Sequence, residues 1–109
     1  MRLKAGFEIN MDVELVFAPE AEEDIANAYN WYEGRRLGLG EDFLSCLDAC
    51  VNGICREPQL YPTIHEDYRR ALVRRFPYAV FYEYLEELVQ IYSVFHTSRN
   101  PDKWKDRFS

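Results

Sequence analysis

Between Tyr68 and His96 the chain alternates β-branched and aromatic residues almost without a break, and such a stretch admits few folds. Period-2 alternation of these residue types is the pattern of a pleated sheet with two distinct faces. The stretch reads as three consecutive antiparallel strands. In the last run Val89, Ile91, Ser93 and Phe95 fall on one face and Leu88, Gln90, Tyr92, Val94 and His96 on the other; the first set makes the better core face. The middle run sets Ala79, Phe81 and Leu85 against Tyr78, Val80, Tyr82 and Tyr84, apolar on both sides as a central strand should be. Phe76-Pro77 and Glu86-Glu87 supply the reversals. Pro77 cannot donate to a ladder, which suits a strand start or a tight turn, so a meander is expected.

The residues before this stretch read as cover. Asp12 to Phe17 alternate and predict a short first strand at an edge, with Val13 and Leu15 on one face. Ala18-Pro19 opens a helix, because proline suits the first helical position and Glu20, Glu22, Glu23 and Asp24 suit the positive end of the helix dipole. Ala21, Ile25, Ala28 and Tyr32 form its buried stripe. Gly34 to Gly40 marks a turn. A second helix is expected from about Glu41 to Glu57-Pro58, with Phe43, Leu47, Cys50, Val51 and Ile54 facing inward. So short a link makes the two helices an antiparallel hairpin. Residues 59–67 read as a loop, and a short helical tail from Pro101 carries Trp104 and Phe108 four apart. The fold class is α+β: an N-terminal edge strand, a helical hairpin over one face of a small antiparallel sheet, a three-stranded antiparallel meander, and a short C-terminal helical tail. Residues 1–11 show no clear period and read as an extension, disordered or a start-site artefact, so residues 12–109 make one domain.

Size and charge narrow the function. The 109 residues suffice for one modest core, and 48% hydrophobic with 16% aromatic content excludes disorder. No apolar run approaches the roughly 20 residues a membrane span requires, and no signal-peptide core precedes Met11, so a cytoplasmic protein is expected. Three cysteines, an odd number, fit a reducing compartment. A net charge of −6 argues against coating nucleic acid by bulk attraction. Charge is unevenly divided: residues 1–68 carry 5 Lys/Arg and 14 Asp/Glu, whereas residues 69–109 carry 8 and 5. Arg69, Arg70, Arg74 and Arg75 crowd onto what reads as one strand, so a local anionic partner is plausible despite the acidic whole.

The segments Tyr29-Asn-Trp-Tyr32, Leu37-Gly-Leu-Gly-Glu-Asp-Phe43, Pro58-Gln-Leu-Tyr-Pro62, Tyr68 to Tyr82, and Val94-Phe-His-Thr-Ser-Arg-Asn-Pro-Asp-Lys-Trp104 resemble the RelE/ParE superfamily of toxins from bacterial type II toxin–antitoxin modules, and within it the ParE-like, plasmid-stabilisation branch. The likeness runs from residue 12 onward. It implies a small growth-inhibiting toxin silenced by a cognate antitoxin, whose C-terminal segment wraps the toxin's helices and sheet. Two mechanisms are implied: inhibition of DNA gyrase by binding, and ribosome-dependent cleavage of messenger RNA.

Cleavage through a 2′-hydroxyl needs a base, an acid for the leaving oxygen and cations for the phosphorane charge. His96 is the candidate acid or base, Arg70, Arg74 and Arg99 the candidate phosphate clamps, and Tyr92 shares the His96 face. Arg70 and Arg74 flank Leu72 on one strand face, where one phosphate can lie between them, and arginine suits bidentate phosphate contact. The lysine-rich strand and terminal tyrosine of the RelE-like nucleases are missing. The plain reading of His96 is a strand-end histidine capped by a neighbouring carbonyl or carboxylate, and it is preferred. The arginines can also pair with Glu14, Glu83 or the first helix, but their concentration favours an acidic antitoxin tail. Cys46 and Cys50 sit one turn apart and read as core residues rather than metal ligands. His65 and Asp67 precede the arginine strand without a recognisable spacing. Tyr78, Tyr82, Tyr84 and Tyr92 read as core or antitoxin contacts rather than base-stacking residues.

The resulting expectation is a toxin that acts by binding, with no cofactor and no metal, and with DNA gyrase as the target implied by resemblance. The antitoxin- or target-binding residues are Arg69, Arg70, Arg74, Arg75, Tyr82, Tyr92 and Trp104. The alternatives are a metal-independent endoribonuclease acting on mRNA at the ribosome through His96, Arg70, Arg74 and Arg99, and a non-toxic member retained only as an interaction protein.

Overall fold

A computed structural model describes residues 13–98. The chain runs β1 (Glu14–Phe17), α1 (Pro19–Arg35), α2 (Leu39–Arg56), β2 (Thr63–His65), β3 (Tyr68–Leu72), β4 (Tyr78–Leu85) and β5 (Leu88–His96). The strands form one sheet in the order β1-β5-β4-β3-β2. The expected meander is β3-β4-β5, antiparallel throughout. β1 occupies an edge as expected but runs parallel to β5, so the sheet is mixed rather than antiparallel. Backbone bonds from Glu14 N to Glu87 O (2.8 Å) and from Ala18 N to Ile91 O (2.9 Å) clamp its two ends. Beyond Phe17, among the described residues, no strand lies beside the β5 edge, and there the Asp24 carboxylate of α1 accepts the Val94 N–H at 3.0 Å.

α1 follows its sequence pattern, with proline in the first turn, Glu20 and Glu22 beside it, and Ala21, Ile25, Ala28 and Tyr32 buried. α2 begins two residues before the expected Glu41. Its N-cap, Gly38, sits at φ 92° and supplies no side-chain cap. Glu33 of α1 takes that role: its carboxylate accepts the Gly38 and Gly40 N–H groups at 2.9 Å each. A Cβ on residue 40 would lie 2.8 Å from the Tyr29 ring and 2.9 Å from the Glu33 carboxylate, which is why glycine stands there. Cys55 joins Phe43, Leu47, Val51 and Ile54 in the core, while Cys50 is only half-buried.

Two features depart from the period-2 reading. β2 lies within the expected loop: Thr63 pairs with Arg69 and His65 with Tyr68. Three residues between Pro62 and a turn are too few to show a period. In β5, Phe81 pairs with Ser93 but Tyr82 pairs with Ile91, leaving Tyr92 as a bulge residue. The bulge reverses the phase of the strand. Val89 and Ile91 face the helices as expected, but beyond Tyr92 it is Val94 that joins the main core and Phe95 that leaves it.

The main core lies between the helical hairpin and one face of the sheet, and includes Tyr78, Val80, Tyr82, Val89, Ile91 and Val94. Ala79, Phe81 and Phe95 form a second cluster on the opposite face, with Ile64 against it. The expected C-terminal helical tail, and residues 1–11, lie outside the described residues.

Candidate protein-binding interface

The four arginines divide among three environments. Arg69 shares the helix face with Tyr82, and its guanidinium donates to Tyr61 O at 2.6 Å and Gln59 O at 3.3 Å. Tyr82 is fully buried and donates to Pro58 O at 2.7 Å; burial raises its phenol above the usual tyrosine range. These two residues pin the 57–62 loop; Tyr82 has no exposed surface to offer a partner, whereas Arg69 is half-buried. Arg70 pairs with Phe81 on the face away from the helices and is exposed. β3 ends at Leu72, so Arg74 and Arg75 lie in the turn before β4 rather than on the strand. Shared strand phase therefore no longer places Arg70 and Arg74 on one face around Leu72. Arg75 has φ 70°, and its guanidinium lies 5.6 Å from the Phe76 ring centroid and 3.8 Å from Cys46 Sγ. Leu72, between the arginines, is 61% exposed.

His96 pairs with Tyr78, and the two rings meet edge-on at 5.2 Å on the helix face. Its Nδ1 accepts the Ser98 N–H at 3.1 Å, so the partner at this nitrogen is a backbone amide rather than the expected carbonyl or carboxylate. Tyr92 stands on the other face. Its hydroxyl donates to Glu83 Oε1 at 2.9 Å, and its ring meets Tyr68 at 5.3 Å. Burial first, and the Glu83 carboxylate second, hold the Tyr92 phenol above its ordinary range. The expected sharing of a face by Tyr92 and His96 fails because of the bulge. Arg99 and Trp104 lie outside the described residues. Among the described residues no three His, Cys, Asp or Glu side chains gather as a metal site would require, and no helix is long and apolar enough to cross a membrane.

Charge is sorted along the strands. The β2–β3 turn carries Glu66 and Asp67, the β4–β5 turn carries Glu86 and Glu87, and Glu14 pairs with Leu88 beside them. At the other end stand Arg74, Arg75 and exposed Leu72. An exposed apolar side chain two residues from Arg70 on one strand, with Arg74 and Arg75 in the turn that follows, is suited to a protein partner with carboxylates and an apolar anchor.

The model of the family described as "ParE toxin of type II toxin-antitoxin system, parDE" matches residues 15–101. The chain belongs to the ParE toxin family. It is the toxin type of a type II toxin–antitoxin system. Among solved structures, the chain is similar to one titled "Chromosomal ParDE TA system from P. aeruginosa", with a TM-score of 0.64 and 14% identity over 78% of this chain and 96% of that one. At that identity the likeness speaks for the fold. No curated protein matches the sequence. The residues that sequence reasoning missed in this ParE-type chain are Leu72, read only as a spacer between arginines, and Glu33, whose capping role needs the α1–α2 geometry.

Proposed function

We propose that this ParE-family chain inhibits growth by binding DNA gyrase, and that a cognate antitoxin silences it by laying an acidic segment against Arg70, Leu72, Arg74 and Arg75. The observation that carries the binding reading is the separation of Arg70 from His96. Arg70 pairs with Phe81 on one face of the sheet and His96 with Tyr78 on the other. A phosphate held by Arg70 thus has the sheet between it and the imidazole, and general acid–base help requires hydrogen-bond reach. Family membership and the ParDE title of the similar structure support an antitoxin partner. A cytoplasmic site of action fits both partners.

Purified gyrase tests the target. Supercoiling should fall as the chain is added and should fall equally with His96→Ala; unchanged supercoiling with the wild-type chain contradicts the gyrase assignment. For the antitoxin, Arg74→Glu should weaken the complex, and rising salt should weaken the wild-type complex. Affinity indifferent to both would remove the electrostatic surface from the account.

A further inference from the structure

Both helices pack on one face of the sheet, yet the centre of the other face is also buried. There Ala79 is 2% exposed, Phe81 3% and Phe95 7%. Ser93 pairs with Phe81, so it shares that face, and it is fully buried. A sheet face open to water leaves such residues on its central strands exposed, so burial this complete requires a covering layer. Among the described residues, the apolar side chain against this cluster is the half-buried Ile64 of β2. β2 stands three strands from β5, about 14 Å away, too far for one isoleucine to cover Phe95.

We propose that this face is a docking site for the chain's own residues 99–109, with the Trp104 ring seated on Phe81 and Phe95. Residues 99–109 leave from the near end of the face. Thr97 is tied to Pro77 O through its N–H at 2.8 Å and its hydroxyl at 3.3 Å, and Ser98 follows Phe95 by three residues. Trp104 comes six residues later, a reach of up to about 20 Å. Tryptophan supplies the large apolar area that a cover needs, and the expected helical turn sets Phe108 beside it. Charge also matches. Arg99, Lys103, Lys105 and Arg107 outnumber Asp102 and Asp106, while Glu83 lies two residues from Phe81 on β4 and the β2–β3 turn adds Glu66 and Asp67. Lysine and arginine stems lie over apolar surface while their charges reach such carboxylates. Residues 1–12 fit less well: they are charge-balanced, and they enter at Glu14, which pairs with Leu88, about 23 Å along β5 from Phe95. The assignment gives Trp104 an internal seat in place of the partner contact expected from sequence, and it does not depend on the gyrase or antitoxin readings.

The chain has two tryptophans, so in the full chain carrying Trp31→Phe the fluorescence reports Trp104 alone. Its emission is expected to be blue-shifted and its quenching by acrylamide several-fold weaker than in urea, with neither depending on protein concentration. In a second measurement on the full chain, Trp104→Ala is expected to raise binding of the dye 1-anilinonaphthalene-8-sulfonate, which reports exposed apolar surface, and Trp104→Phe to reverse most of that rise. Far-ultraviolet circular dichroism shows that both variants fold. Water-like emission with full quenching of Trp104 overturns the proposal, whether or not Trp104→Ala folds. Shielding that grows with protein concentration assigns the face to a second copy and overturns it too. So does dye binding raised by the double variant Phe7→Ala, Ile9→Ala but not by Trp104→Ala, which assigns the face to residues 1–12.

Discussion

Arg70 and His96 stand on opposite faces of one sheet: Arg70 pairs with Phe81 away from the helices, and His96 pairs with Tyr78 beneath them. This separation follows from register alone. It makes His96 part of the packing around Tyr78, with Nδ1 occupied by the Ser98 N–H. His96→Ala is therefore expected to cost about 1 kcal/mol of stability, the scale of one hydrogen bond and one ring contact, while growth inhibition persists at wild-type dose. Chemical denaturation and a titrated expression assay check the two halves. Loss of inhibition without loss of stability would make His96 a reacting group.

The hairpin joint depends on Glu33. Its carboxylate caps α2 through the Gly38 and Gly40 N–H groups, and a Cβ at position 40 would displace it. Glu33→Ala should cost about 1–2 kcal/mol, the scale of a lost N-cap. Gly40→Ala should cost at least as much, because the new methyl also meets the Tyr29 ring. Urea midpoints measure both, and Gly34→Ala, where a Cβ meets nothing within 4 Å, is the control.

The β4–β5 turn carries backbone strain. Glu86 and Glu87 have φ 51° and 65°, the left-handed pair of a tight hairpin turn that favours asparagine and glycine. Replacing Glu86-Glu87 by Asn-Gly should stabilise the chain by about 1 kcal/mol, read as a higher melting temperature. The Glu87 carbonyl also holds the start of β1 through Glu14, so a fall in stability would mean that the turn's side chains contribute to that docking.

Burial raises the Cys50 thiol from 9.0 to about 12. The folded state thus favours the protonated form. Below pH 9 the thiol is protonated whether the chain is folded or unfolded, and the advantage is fully present. As pH rises from about 9 toward 12 the unfolded chain ionises first, and stability falls by roughly 1.4 kcal/mol per unit at most. Cys50→Ala should flatten that fall in denaturation curves taken between pH 8 and 11. An unchanged slope would assign the alkaline loss to other groups.

Much of this was legible in the residues, for reasons that also explain the rest. α1 and α2 bury residues at helical spacing, and β4 is apolar on both sides, so their periods survive into the structure. Arg74 and Arg75 prolonged the strand reading because nothing before Pro77 breaks the alternation, yet Arg75 adopts a left-handed backbone that the pattern cannot register. The bulge at Tyr92 adds one residue to β5 opposite β4; alternation has no signal for it, and the faces of Ser93 to His96 were inverted as a result. Arg69 and Tyr82 looked available for a partner because their carbonyl acceptors at Gln59, Tyr61 and Pro58 come from a loop whose path is set by tertiary contacts. Arg70, Arg74 and Arg75 announce themselves in sequence, whereas the row Arg75, Phe76, Tyr32, Trp31 and Arg35 is assembled by tertiary packing that no pattern registers.

The central claim is inhibition by binding rather than by cleavage. Induced expression of this chain alone in a bacterial host, with plasmid supercoiling and messenger RNA integrity assayed in the same culture, tests it most directly. The account predicts growth arrest with relaxed plasmid and intact messages. Arrest with cleaved messages and normal supercoiling would contradict it and return the chain to the nuclease reading.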